Sequence, residues 1–218
     1  MLELQLGKKL KEGAPGLRLL FLGAHCDDIE IGCGGTILRL IREYPISHVT
    51  WVVFCSNEIR EREARDCAEQ FLQGVTSREI IVRDFRDGYL SQQYTAVKDF
   101  FEQLRREGDP DVIFTHYQRD LHQDHRLLSE LTWNTFRNHF ILEYEIPKYD
   151  GDLGNPPCFV ILDEKDVEGK VKKLMDCYTS QRSKHWFDEE TFRSILRLRG
   201  MQSASRYAEA FYCRKLVI

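Results

Sequence analysis

The sequence has no cluster of basic residues: 31 lysines and arginines stand against 35 acids, for a formal net charge of −4. That removes the electrostatic footprint that non-specific nucleic-acid binding needs, and no nucleic-acid partner is expected. Nowhere does the chain approach the roughly 18 consecutive apolar residues of a membrane-spanning helix. Its first residues, MLELQLGKKLKEG, alternate charge with leucine and have neither a basic leader nor a continuous apolar stretch, so they predict no secretory signal. The seven cysteines are odd in number, irregularly spaced and without a Cys-x-x-Cys pair, and Cys55, Cys67 and Cys213 fall inside apolar segments. Buried free thiols in a reducing cytoplasm account for them. No repeat, low-complexity tract or long linker divides the chain, so one domain over residues 1–218 is expected.

What is present is alternation. LRLLFLGAH, HVTWVVFCS, REIIVRDF and DVIFTH are short apolar runs that read as buried strands. Between them, Ile37, Leu38 and Ile41, then Ala64, Cys67, Ala68, Phe71 and Leu72 up to Gly74, carry helical spacing. Parallel neighbours need a crossover, usually a helix, so this order predicts an α/β fold with a mostly parallel sheet and helices on both faces. After His125 the pattern predicts a helix from Asp124 to about Asn138, a turn-rich GDLGNPP, a strand at CFVILD, helices on the stripes of Val167 to Tyr178 and from Phe192, and a final strand in YAEAFYCRKLVI.

Directly after the first strand comes AHCDDIEIGCGG. Ligands of open parallel sheets bind beyond the carboxyl ends of the strands, where His25, Asp27 and Asp28 fall. Any one of them alone reads as a helix cap or a hydrogen-bonded core group. Together they imply more, because two adjacent carboxylates repel unless a cation or proton offsets them. Gly32, Gly34 and Gly35 do not have the Gly-x-Gly-x-x-Gly spacing of a dinucleotide turn; they predict a tight backbone and close packing of a helix starting near Gly34.

The fourth strand runs into YQRDLHQDHRLLSE, which places His116, Asp120, His122, Asp124 and His125 at the same sheet edge. Four of the seven histidines therefore sit in two clusters. Imidazole and carboxylate are common zinc ligands, and three protein ligands with one open position make a catalytic site; the two clusters can supply that set.

AHCDDIEIGCGG resembles the Ala-His-Pro-Asp-Asp-Glu signature, and HQDH the His-Pro-Asp-His signature, of the zinc-dependent de-N-acetylases related to the N-acetylglucosaminyl-phosphatidylinositol deacetylase, the LmbE-like or PIG-L family. REREARDCAEQFLQG resembles the family's Arg-x-x-Glu helix, RDGYL its Asp-Gly turn, and YTSQ and YAEAF its C-terminal segments, so the likeness spans nearly the whole chain in order. The resemblance implies a Rossmann-like fold and a hydrolase that removes the acetyl group from an N-acetylglucosamine-type sugar conjugate. It implies His25, Asp28 and His125 as ligands of one zinc ion per chain, with iron(II) the other metal such a set takes. Asp27 is implied as general base, His122 as stabiliser of the tetrahedral intermediate in imidazole or imidazolium form, and Asp124 as the group that orients a histidine. Arg60 and Asp87 match positions that contact the sugar; EIREREARD also reads as a solvated helix face with Glu and Arg pairs. His116 and Asp120 lie close enough to the clusters to take part in the site, and read equally as structural residues. The partner implied is a small N-acetylated sugar conjugate, and family members are often homo-oligomers.

Three positions depart from the family pattern. Cys26 stands in place of the usual proline, Ile29 precedes Glu30, and Leu121 and Gln123 flank the second signature where many members carry arginine and proline. None removes an implied ligand or the base. Two alternatives use the same residues: a non-haem iron(II) oxygenase with a two-histidine, one-carboxylate set, and a sugar-binding protein without turnover. No series of closely spaced strands predicts the jelly roll such oxygenase sites often occupy, and Asp27 serves no purpose in binding alone. Specificity is expected in RDGYLSQQY and in residues 144–155, where tyrosines, with Trp186, can stack on a sugar ring.

Overall fold

The chain is described by a computed structural model over residues 16–217. The segment MLELQLGKKLKEG lies outside the described residues. Among those described, a seven-stranded sheet runs in the order β3-β2-β1-β4-β5-β7-β6. The strands are β1 (Leu17–Gly23), β2 (Ile46–Cys55), β3 (Arg78–Phe85), β4 (Val112–His116), β5 (Phe140–Tyr144), β6 (Cys158–Leu162) and β7 (Tyr207–Tyr212). Pairing is parallel from β3 through β5, and β7 is antiparallel to both β5 and β6. The helices are α1 (Asp28–Glu43), α2 (Glu58–Phe71), α3 (Tyr94–Glu107), α4 (Gln123–Thr135), α5 (Glu164–Cys177) and α6 (Glu189–Gln202). The fold is the α/β class that the alternation predicts.

Alternating side chains of the central strand feed two cores. Leu19 and Phe21 join Trp51, Phe71, Tyr178 and Phe192 under α1, α2, α5 and α6, whereas Leu20 and Leu22 join Phe54, Phe101 and Leu128 under α3 and α4. That period of two, apolar on both sides, is what a strand buried on both faces requires. The chain leaves β1 toward β2 and β3 on one side, and β4 lies on the other. The crevice between the ends of β1 and β4 is thus the point where strand order reverses, the place where such sheets bind ligands.

Three features depart from the reading above. Helix α3 and strand β5 carry no element in it: FILEY follows straight on α4, which ends at Thr135, and is too short for its apolar residues to establish a period. Helix α1 begins at Asp28 rather than near Gly34, and breaks at Cys33, whose φ of −144° and ψ of 18° are not helical. The break frees backbone groups inside the core, and a buried ion pair takes them up. Glu209 of β7 accepts the Gly35 and Thr36 N–H groups at 2.8 and 2.6 Å. Lys170 of α5 donates to the Ile31 carbonyl at 2.5 Å and to Glu209 at 2.7 Å. Gly32 does not turn the chain but lets α1 lie against β5: a Cβ there would stand 2.2 Å from the Tyr144 ring. The final strand stops at Tyr212, short of the C-terminus.

Candidate metal centre

The end of β1 and the N-terminus of α1 present His25, Asp27 and Asp28; the N-terminus of α4 presents His122, Asp124 and His125 across the crevice. All of them are buried except His122, which is half-buried. The inner atoms of three converge. His25 Nδ1 lies 3.1 Å from His125 Nε2 and 3.2 Å from Asp28 Oδ2, and His125 Nε2 lies 3.5 Å from the same oxygen.

The outer ring nitrogens decide what faces inward. His125 Nδ1 is 3.0 Å from Asp120 Oδ2, and His25 Nε2 is 3.0 Å from Asp87 Oδ1 and 3.5 Å from Asp124 Oδ2. Asp120 draws the His125 ring hydrogen to Nδ1, which leaves a lone pair on the inner Nε2, whereas His25 faces carboxylates from both nitrogens, Asp28 on the inside and Asp87 and Asp124 on the outside. Two imidazole nitrogens and a carboxylate oxygen thus converge on one point, a donor set that suits a cation. Donor atoms about 2.0–2.1 Å from a tetrahedral zinc ion lie about 3.3–3.4 Å from one another. The residues present fit a small divalent metal. His116 and His122 belong to overlapping groupings of potential ligands, but both have a ring nitrogen engaged. His116 Nε2 accepts the Ala24 N–H at 2.9 Å, and His122 Nδ1 accepts the Asp124 N–H at 3.3 Å.

The charges follow from these contacts. Burial opposes ionisation of Asp28, but His125, His116 and His25 outweigh it and hold the carboxyl well below its usual range. For His25, burial is likewise outweighed, by Asp28 first, and its pKa rises well above 6.5, so that a proton occupies the place of a cation. Burial and the neighbouring His116 push His125 down to about 4. Asp27 is raised by burial, with Arg60 pulling the other way. Burial and His25 together lower the pKa of His122, which favours its neutral ring.

Arg60 lies in the first turn of α2, whose start is fixed by Asn57 Oδ1 accepting the Ile59 and Arg60 N–H groups at 3.1 Å each. Its Nη2 donates to Asp27 Oδ1 at 3.0 Å, and Nη1 stands 3.8 Å from Asp87 Oδ2. Arg60 is thus not on a solvated face: its first contact is the expected base. Asp87, its side chain 59% exposed, sits at the open mouth. The turn presenting it needs Gly88, whose φ of +79° favours glycine. Asp124 accepts the Gly88 and Leu90 N–H groups at 2.7 and 3.2 Å, so it fixes that turn besides facing His25.

The group bonded to His125 is Asp120, a residue that the sequence places nearby without a role. Its Oδ1 also accepts the His122 N–H at 2.7 Å, so one carboxylate positions both histidines of α4. Five residues before His125, within the same charged cluster, it was open to that reading. Asp27 and Asp28 do not cap α1: Asp27 is the residue before the helix, but its side chain makes no cap bond.

Comparison with known proteins supports the same reading of the fold. N,N'-diacetylchitobiose deacetylase from Pyrococcus horikoshii superposes with a TM-score of 0.69 at 23% identity, over 95% of this chain and 89% of its own. The 4-carboxy-2-hydroxymuconate hydratase from Pseudomonas putida KT2440 gives 0.70 at 17% identity, over 93% and 98%. The zinc-inhibited form of the teicoplanin deacetylase Orf2 gives 0.70 at 14%, over 90% and 97%. Identities this low show the shared fold, and the hydratase shows that the fold serves more than one reaction. The family model described as GlcNAc-PI de-N-acetylase matches residues 20–136, more than half of the 218 residues and the whole of both signatures. The chain belongs to the PIG-L, or LmbE-like, family of N-deacetylase hydrolases.

Proposed function

We propose that the protein hydrolyses the acetamide of an N-acetylglucosamine-type sugar conjugate at a zinc ion held by His25, Asp28 and His125. The observation that carries the reading is the convergence of His25 Nδ1, His125 Nε2 and Asp28 Oδ2 at 3.1–3.5 Å from one another, with a second carboxylate, Asp27, beside them. When bound, the metal polarises an amide carbonyl and lowers the pKa of water from about 15.7 toward 7.

The chain's own residues supply the proton handling. Arg60 holds Asp27 Oδ1, while Oδ2 is buried without a partner. That free oxygen takes the proton of the attacking water, and burial raises its basicity toward the working range of a general base. With the His122 Nδ1 lone pair occupied by the Asp124 N–H, a neutral ring carries its hydrogen on Nε2 and donates it to the oxyanion of the tetrahedral intermediate. Proton return from Asp27 to the departing nitrogen completes hydrolysis to acetate and a free amine. Asp87 and Arg60 line the mouth where the sugar enters.

Seven free cysteines suit a reducing cytoplasm. Among the described residues, no helix is long and apolar enough to cross a membrane. The oxygenase alternative finds no jelly roll in this sheet, and Asp27 with its buried arginine is more than sugar binding requires.

The test is amine release from a panel of N-acetylglucosaminides, including lipid-linked, malate-linked and nucleotide-linked forms, with zinc and with chelator. Chelator-sensitive release from one member is the expected result. Confirmed zinc uptake with no release from any N-acetyl sugar would overturn the deacetylase assignment.

A further inference from the structure

The crossover between β5 and β6, residues 145–157, brings a lysine to the back of the metal centre. Lys148 is a buried cation, its side chain 7% exposed, in a loop that Ile146 anchors to the core. Its Nζ donates to Asp120 Oδ2 at 3.1 Å and to Asp152 Oδ2 at 2.6 Å. The same Asp152 oxygen accepts the Leu121 N–H at 2.7 Å, which ties the loop to the residue between Asp120 and His122.

Asp120 is the junction. Its Oδ2 receives both Lys148 and the His125 ring nitrogen, and its Oδ1 receives the His122 backbone. A buried carboxylate with three donors on two oxygens has one orientation. Removing the ammonium leaves Oδ2 with the imidazole alone and lets the carboxylate turn. The His125 ring then loses the direction that aims Nε2 at His25 and Asp28. Lys148 does not depend on the metal centre for its own place. Glu145 at the foot of the loop pairs with Arg199 of α6 through two contacts of 2.6 Å, and Arg199 also donates to the Gly154 carbonyl at 3.0 Å. The loop is clamped at both ends and delivers the lysine as a fixed group.

We infer that Lys148 is a positioning residue for the metal centre, acting through Asp120 on His125 and joining the 145–157 loop to metal affinity. The inference rests on the reading of His125 as a metal ligand. Groups that hold a ligating histidine from behind typically change metal affinity by about 10- to 100-fold when removed.

The experiment is zinc titration of the full chain in competition with a colorimetric chelator, for wild type, Lys148→Met, Lys148→Arg and Asp152→Asn, with the thermal midpoint of each metal-free form measured alongside. Lys148→Met is expected to bind zinc about 10- to 100-fold more weakly, and its metal-free midpoint is expected to fall as well, because Asp120 and Asp152 lose their buried ammonium. Lys148→Arg is expected to recover most of the loss, and Asp152→Asn to show a smaller loss of the same sign. If Lys148→Met fails to fold, Asp152→Asn and Lys148→Arg decide. Folded variants with wild-type zinc affinity would overturn the role of Lys148 alone. A wild-type chain that takes up no zinc would overturn the ligand assignment and this inference with it.

Discussion

Arg60 donates to Asp27 across 33 residues of sequence, at 3.0 Å and largely out of water. Burial raises the pKa of Asp27 and the guanidinium opposes that rise. A base works only when deprotonated, so activity is lost as pH falls through the raised pKa. Arg60→Met removes the opposing charge, raises the pKa further, and moves the acidic limb of kcat/KM to higher pH. The pH profile of the variant measures this; an unmoved limb would mean that Asp27 is not the titrating base.

Asp27→Asn keeps the size of the side chain and removes its proton affinity. The expected result is zinc content equal to wild type with kcat reduced by about 100- to 10,000-fold, the usual contribution of a general base. Metal analysis and turnover on the same sample check both halves. Full activity would dismiss Asp27 as base, and lost metal would make it a ligand.

Chelation separates the metal from the fold. A ligand bound at a hundred times its dissociation constant stabilises the native state by about 2.7 kcal/mol. Stripping zinc is therefore expected to lower the thermal midpoint and to leave a folded protein, because the two cores do not include the site's ligands. Circular dichroism melts before and after chelator, and after zinc is returned, read the difference.

Lys170→Met strands Glu209 as an uncompensated charge in the core, with both partners nearly inaccessible to water. Breaking one side of a buried pair costs about 3–5 kcal/mol. Denaturant unfolding should show a loss of that order, and a change below about 1 kcal/mol would show that the backbone N–H groups of Gly35 and Thr36 suffice to hold Glu209.

The parts of the site that lie within one loop were legible in the sequence. His25, Asp27 and Asp28 fall in four positions after an apolar run, and His122, Asp124 and His125 in four more after another, so a parallel sheet brings both to one edge. The partners of these residues were not legible. EIREREARD looks the same whether Arg60 faces water or Asp27, because helical spacing leaves the rotation of α2 about its axis to the packing of Ala64, Cys67, Ala68 and Phe71. The resemblance implies that Asp124 orients a histidine, but not that it fixes the Gly88 turn, a contact made across 36 residues. Nothing in EIPKYDGDL sets Lys148 apart from a solvated lysine.

The sequence by itself determined the alternation of strand and helix, the two charged clusters and their place at strand ends, since each depends on residues a few positions apart. Tertiary structure decided which nitrogen of each histidine faces inward, because that follows from carboxylates delivered by other elements: Asp87 to His25 from the turn after β3, Asp120 to His125 from the loop after β4, and Lys148 to Asp120 from the crossover after β5. A hydrogen bond is made over about 3 Å and fails within an ångström beyond it. Only the finished order of the sheet, with β1 and β4 side by side, brings groups separated by up to 100 residues within that reach.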